Sequence, residues 1–193
     1  MGAGGLAAAL AALALQAGAV AEAPAGLMHA LNDRLLASPS ATLTLEAWCA
    51  ERHLASPARI GAARDATAVK PAPAEVRSRL AVAVDEPLGY RRVRLACGTH
   101  VLSEADNWFV PARLSPEMNA TLSGTDTPFG RVVLPLSPHR QTLGVDWLWN
   151  GQGTPPTKDE GLFRHRALVE DPSGRPLAYV QETYLAEALT GTP

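Results

Sequence analysis

From Gly89 to Leu185 the sequence is a succession of short alternating segments separated by tight turns. Tyr90 to Cys97 and Val101 to Val110 are strand-like and flank Gly98-Thr99, a turn candidate. Leu162 to Val169 and Leu177 to Leu185 flank Asp171-Pro172-Ser173-Gly174, whose residue types suit a hairpin turn. Val132 to Leu136 and Gln141 to Trp149 read as two more strands, followed by a polar Gly/Pro loop over Gly151 to Glu160. Connections this short favour antiparallel neighbours, because parallel strands need a long crossover.

The preceding part has a different period. Leu27, Ala30, Leu31 and Leu35 recur at helical spacing, which predicts a helix over roughly Gly26 to Ala37. Ser38-Pro39-Ser40 ends it, and a second helix is predicted over Ala41 to Leu54. Ser115-Pro116-Glu117 opens a short helix over Met118 and Leu122. Ala55 to Pro87 is rich in Ala, Arg and Pro; Pro71 and Pro73 interrupt it, leaving room for short strands near Ile60 and Leu80 to Val84. Helices first and about six strands after them predict an α+β fold, a single domain over residues 24–193. Residues 1–23 are almost all Ala, Leu, Gly and Val, with Glu22 the first charge. They read either as a signal-like leader with a small-residue site at Ala21-Glu22-Ala23 but no basic start, or as a plain Ala-rich helix.

With 17 Lys and Arg against 19 Asp and Glu, the chain lacks the basic excess of a nucleic-acid binder, so no nucleic-acid partner is expected. No stable membrane partner is expected either, since the Ala-rich leader is a weak spanning candidate. Cys49 and Cys97 have no Cys or His neighbour at zinc-like spacing, so no metal site is expected. They read as two buried free thiols; a disulfide would need an oxidising compartment.

Two side chains stand out on the strands. Alternation puts Ala178, Val180, Glu182 and Tyr184 on one face, with Glu182 its lone charge. A carboxylate there is either a candidate for proton transfer or, if that face is the solvent side, simply solvated. Arg91, Val93, Leu95 and Cys97 form the more apolar face of their strand, and Arg91 at the core's edge suits a bidentate grip on a carboxylate. It could equally snorkel from the strand end or pair with Glu182. Thr127-Pro128-Phe129-Gly130-Arg131 reads as a tight loop where Gly130 allows close approach. His100, His139 and His165 read as surface or strand histidines.

Three segments in order resemble the chorismate lyase family: Tyr90-Arg91-Arg92-Val93-Arg94-Leu95 with its return to Pro111, Thr127 to Arg131, and Gly161-Leu162-Phe163 through to Glu182-Thr183. The resemblance implies an antiparallel sheet behind an N-terminal helical hairpin and helical flaps, without cofactor or metal. It implies a bacterial carbon–oxygen lyase of ubiquinone biosynthesis that eliminates pyruvate from chorismate to give 4-hydroxybenzoate. Carried over, Glu182 and Arg91 are the catalytic pair, and Arg92, Phe129 (where the family more often has Leu) and Gly130 bind substrate. Ungapped counting from Pro111 points to Arg92 as the carboxylate anchor; the apolar alternation points to Arg91. The expected partner is a small aromatic or cyclohexadiene carboxylate, the expected state a monomer. The expected location is the cytoplasm if chorismate is the substrate, the periplasm if the leader is cleaved. Two other readings are a non-catalytic aromatic-acid binder, since the same fold serves as the effector domain of some bacterial regulators, and a relative with another substrate.

Overall fold

The computed structural model describes residues 23–192; the leader predicted over residues 1–23 lies, but for its last residue, outside the described residues. The chain opens with two helices, α1 (Pro24–Ala37) and α2 (Ala41–Glu51). Pro24 sits at the start of α1, where the missing N–H costs nothing, and the Ser40 hydroxyl caps α2 by accepting from the Leu43 N–H. Leu27, Leu31 and Leu35, at four-residue spacing, bury one face of α1.

Six strands follow: β1 (Ile60–Asp65), β2 (Gly89–Cys97), β3 (His100–Phe109), β4 (His139–Trp147), β5 (Gly161–Glu170) and β6 (Pro176–Leu185). They form one antiparallel sheet in the order β1-β2-β3-β6-β5-β4. Two hairpins, β2–β3 and β5–β6, are joined at the centre through β3 and β6, where Ala105 faces Glu182 and Asn107 faces Val180. The β5–β6 turn is made by Asp171, whose carboxylate accepts from the Ser173 and Arg175 N–H groups, and by Gly174 at φ 80°. The single α+β domain with a six-stranded antiparallel sheet is the fold predicted from the sequence.

One face of the sheet, here the inner face, is covered by α1 and α2 at one end and by the flap helices α4 (Pro116–Gly124) and α5 (Phe129–Val132) at the other. Met28, Leu31, Trp48, Leu95, Phe163 and Tyr184 belong to the larger buried cluster. Trp48 Nε1 donates to the Ala188 carbonyl at 2.7 Å, which joins α2 to the chain's last turn. The outer face is covered only in part, by α3 (Ala74–Arg79), which packs Val76 and Leu80 near Trp108 and Tyr179.

Several sequence expectations are corrected. Cys49 and Cys97 are not free thiols but form a disulfide between the C-terminal half of α2 and the end of β2. The expected strand over Val132 to Leu136 is the end of α5 and a 3-10 turn; Pro135 supplies no N–H for a ladder. The expected strand near Leu80 to Val84 is absent, and the unforeseen α3 starts after Pro73, because proline is tolerated just ahead of a helix's first turn. Among the described residues, no helix is long and apolar enough to cross a membrane.

Candidate functional site

Strand alternation turns Arg91, Val93 and Leu95 inward from β2. Arg91 is 3% exposed. Its Nη1 donates to the Thr127 carbonyl and its Nη2 to the Thr125 carbonyl, both at 3.2 Å, and its Nε has no partner. The receiving loop is itself fixed, since the Ala62 N–H of β1 donates to the Asp126 carbonyl at 2.8 Å. Among the described residues no carboxylate lies within 4 Å of the Arg91 guanidinium. Burial, with the charge of Arg64 added, lowers its pKa, and Asp126 opposes that only in part. Arg91 is a buried cation held by neutral carbonyls.

Glu182 projects from central β6 and is 4% exposed. The Ser103 hydroxyl donates to it at 2.7 Å. Beside it, the Tyr184 hydroxyl is buried; burial first, and the Glu182 charge second, raise that phenol well above its ordinary pKa.

Phe129 and Gly130 open α5. A β-carbon on Gly130 would lie 3.0 Å from Thr42 Oγ1, so glycine lets the flap close on the start of α2. Arg131 is ion-paired with Glu46 of α2, and Glu46 also accepts the Ile60 N–H at 3.0 Å. The flap, α2 and the edge strand are thereby latched together.

These elements enclose a cavity of about 120 Å³, lined by Arg91, Glu182, Phe129, Gly130, Thr42 and Arg140 among others. At roughly 10–15 Å³ per water site, that is room for about eight to twelve non-hydrogen atoms, the size of one substituted ring. Its wall is mostly apolar, with a few polar groups converging on it. The structure thus brings together Arg91, Glu182, Phe129 and Gly130. It does not bring Arg92 to them: that side chain is on the outer face, 3.3 Å from Asp106 and 3.2 Å from Glu104.

Asn107 and Arg140 went unread in the sequence, and His165 was read only as a surface or strand histidine. Asn107 lines the cavity with its Oδ1 unpartnered. Arg140 donates through Nη1 to Thr142 Oγ1 at 2.7 Å and through Nη2 to His165 Nδ1 at 3.3 Å. A guanidinium only donates, so Nδ1 must accept and Nε2 carries the proton, which it gives to Asn32 Oδ1 at 2.9 Å. Burial, and then the charge of Arg140, push the His165 pKa down to about 3. His165 could have been singled out like Glu182, as the polar member of the Phe163, His165, Ala167, Val169 face. No group of three or more His, Cys, Asp or Glu that could hold a metal occurs among the described residues.

No family model matches the chain. It is 40% identical over 178 residues to the uncharacterized protein y4mC of Sinorhizobium fredii, across 84% of this chain and 75% of that protein. The chain belongs to the same family as y4mC. Among solved structures, PhnF from Mycobacterium smegmatis aligns at 11% identity and TM-score 0.53, over 79% of this chain and 66% of PhnF. The effector domain of PhnF aligns at 11% identity and TM-score 0.52, over 76% of this chain and 88% of that domain. The possible transcriptional regulator YydK from Bacillus subtilis aligns at 13% identity and TM-score 0.45, with 69% of this chain covering 60% of that one. At such identities the likeness to PhnF is one of fold.

These findings correct the expectation of a chorismate lyase. The solved structures whose fold this chain shares are PhnF and its effector domain, not lyases, and the relative y4mC carries no activity in its name. The pattern from Tyr90 to Arg131 encodes a sheet with a covered face, which the effector domain shares; a shared fold does not carry a reaction. The elimination of pyruvate from chorismate, its link to ubiquinone biosynthesis and the assignment of a carbon–oxygen lyase are withdrawn with it.

Proposed function

We propose that this chain is a binding module for a small cyclic carboxylate, aromatic or cyclohexadiene, held in the cavity between the sheet and the flaps. The observation that supports this best is Arg91, a buried guanidinium with no carboxylate within 4 Å among the described residues. A ligand carboxylate at that place gains a charge-assisted, bidentate contact with a buried guanidinium. The mostly apolar wall then takes a ring edge and face, and the carbonyls of Thr125 and Thr127 hold the guanidinium in place before the ligand arrives. The fold of the PhnF effector domain agrees with a module of this kind.

Thermal unfolding with benzoate and with 4-hydroxybenzoate tests the reading. Stabilisation that grows with ligand concentration in the wild type and disappears in Arg91→Met is the expected result. No stabilisation by either acid, or equal stabilisation of the variant, counts against it.

The Cys49–Cys97 disulfide favours an oxidising compartment, and with it export, over a reducing cytosol. Thiol titration of the protein taken from its native compartment decides: no reactive thiol is expected after unfolding without reductant, and two would reverse the assignment.

A further inference from the structure

Arg140 stands in the same cavity as Arg91, four strands away across the sheet order β2-β3-β6-β5-β4. At about 4.8 Å per strand the two backbones are far apart, so the two arginines reach the cavity from well-separated strands, with Glu182 on the strand between. Among the described residues Arg140 has no carboxylate within 4 Å. Its recorded partners are two neutral acceptors, Thr142 Oγ1 and His165 Nδ1. A guanidinium has five N–H donors, so capacity remains toward the cavity.

The support behind Arg140 is buried and polar. His165 is 0% exposed and Asn32 4% exposed, one in the sheet and the other on α1. Placing an imidazole and an amide in a core costs free energy unless they bond to each other and to something else. Here they form a directed line, Arg140 to His165 to Asn32, each link using one donor and one acceptor. The neutral imidazole orients the guanidinium without cancelling its charge, as a carboxylate would.

We infer that Arg140 is a second ligand anchor, which donates to an acceptor oxygen on the end of the ligand away from Arg91, and that His165 and Asn32 position it. The inference rests on the binding reading given above and adds the chemistry of the ligand's far end: a carbonyl, carboxylate or comparable oxygen. A purely structural use of the line, tying edge strand β4 to α1, is the competing outcome.

Calorimetric titration with benzoate, 4-acetylbenzoate and 4-isopropylbenzoate separates the two. The last two are similar in size, with the carbonyl oxygen of one replaced by a methyl group in the other. The wild type should prefer 4-acetylbenzoate by about tenfold or more, the scale of a hydrogen bond to a charged group. Arg140→Met should cut that preference below about twofold while the benzoate affinity stays put. His165→Phe should reduce it too, and His165→Gln, which restores an acceptor and a donor, should bring part of it back. Equal wild-type affinity for the two probes, or a preference that survives Arg140→Met, overturns the inference; the wild-type ratio alone suffices if the variant does not fold. Benzoate binding without that preference removes only the second anchor. Absence of benzoate binding removes the binding reading and this inference together.

Discussion

Arg91 and Arg92 are neighbours in sequence, yet β2 delivers them to opposite faces of the sheet and to opposite electrostatic settings. On the outer face, Asp106 accepts from Lys70 and Tyr90 at 2.6 Å and from Arg92 at 3.3 Å, while Glu104 takes Arg92 and Arg94. Cations and carboxylates there answer one another. Lys70, Arg92, Glu104 and Asp106, which line a polar depression there, are paired with one another. On the inner face Arg91 and Arg140 meet only carbonyls, a hydroxyl and a neutral imidazole. A charge balanced within the protein serves stability or solubility, and exposed pairs contribute little of that. A buried charge left unbalanced lowers stability, so it persists where something else supplies the missing partner.

The comparison can be pressed from both sides. The cavity side carries the cross-link, and replacing Cys49 and Cys97 by Ala should destabilise the fold by about 2–4 kcal/mol, the scale for a loop of this length. Denaturant unfolding measures it, and a loss below about 1 kcal/mol would mean that α2 is held by packing alone. On the outer face, Asp106→Asn removes the charge and one of the two acceptor oxygens that Lys70, Tyr90 and Arg92 share, and a loss of about 1–3 kcal/mol is expected. Burial raises the Asp106 pKa, but hydrogen bonds from Lys70 and Tyr90 and the charges of Lys70 and Arg92 outweigh it, so the group sits below its ordinary value. Its contribution is therefore present above the ordinary carboxylate range and fades as the pH falls through the folded value.

His165 gives the inner face its own pH signature. Its folded pKa, about 3, lies below the ordinary 6.5. Between those values the unfolded chain binds a proton that the folded chain refuses, so stability falls as the pH drops through that window. The slope from this one group is at most about 1.4 kcal/mol per pH unit. His165→Gln should flatten melting temperature against pH between 6.5 and 4; an unchanged profile would show that other groups set it.

The sheet was legible because two-residue alternation and the Asp171 to Gly174 turn act locally, on residues that pair with near neighbours. Arg91 and Glu182 were legible for the same reason: each is a lone charge on an apolar strand face, and the fold sets both faces inward. The disulfide was not, because Cys49 and Cys97 are 48 residues apart and only the stacking of α2 on β2 brings them together. Arg140 was missed because the predicted strand began one residue after it, which hid its alignment with Thr142. His165 was read only as a surface or strand histidine, and its place behind Arg140 was not legible because its partners, Asn32 on α1 and Arg140 on β4, come from distant parts of the chain. The family-level resemblance described the fold rightly and the activity wrongly, since the local patterns it matched are those that build the covered sheet.

The central claim is that the inner-face arginine awaits a ligand carboxylate and its outer-face neighbour does not. Titration calorimetry of benzoate into the wild type, Arg91→Met and Arg92→Met at neutral pH tests it in one series. The account predicts that Arg91→Met weakens binding by about 30-fold or more, the scale for losing a buried charged hydrogen-bonded partner, while Arg92→Met changes it by less than about twofold. Equal losses in both variants, or tight binding that survives Arg91→Met, would contradict it.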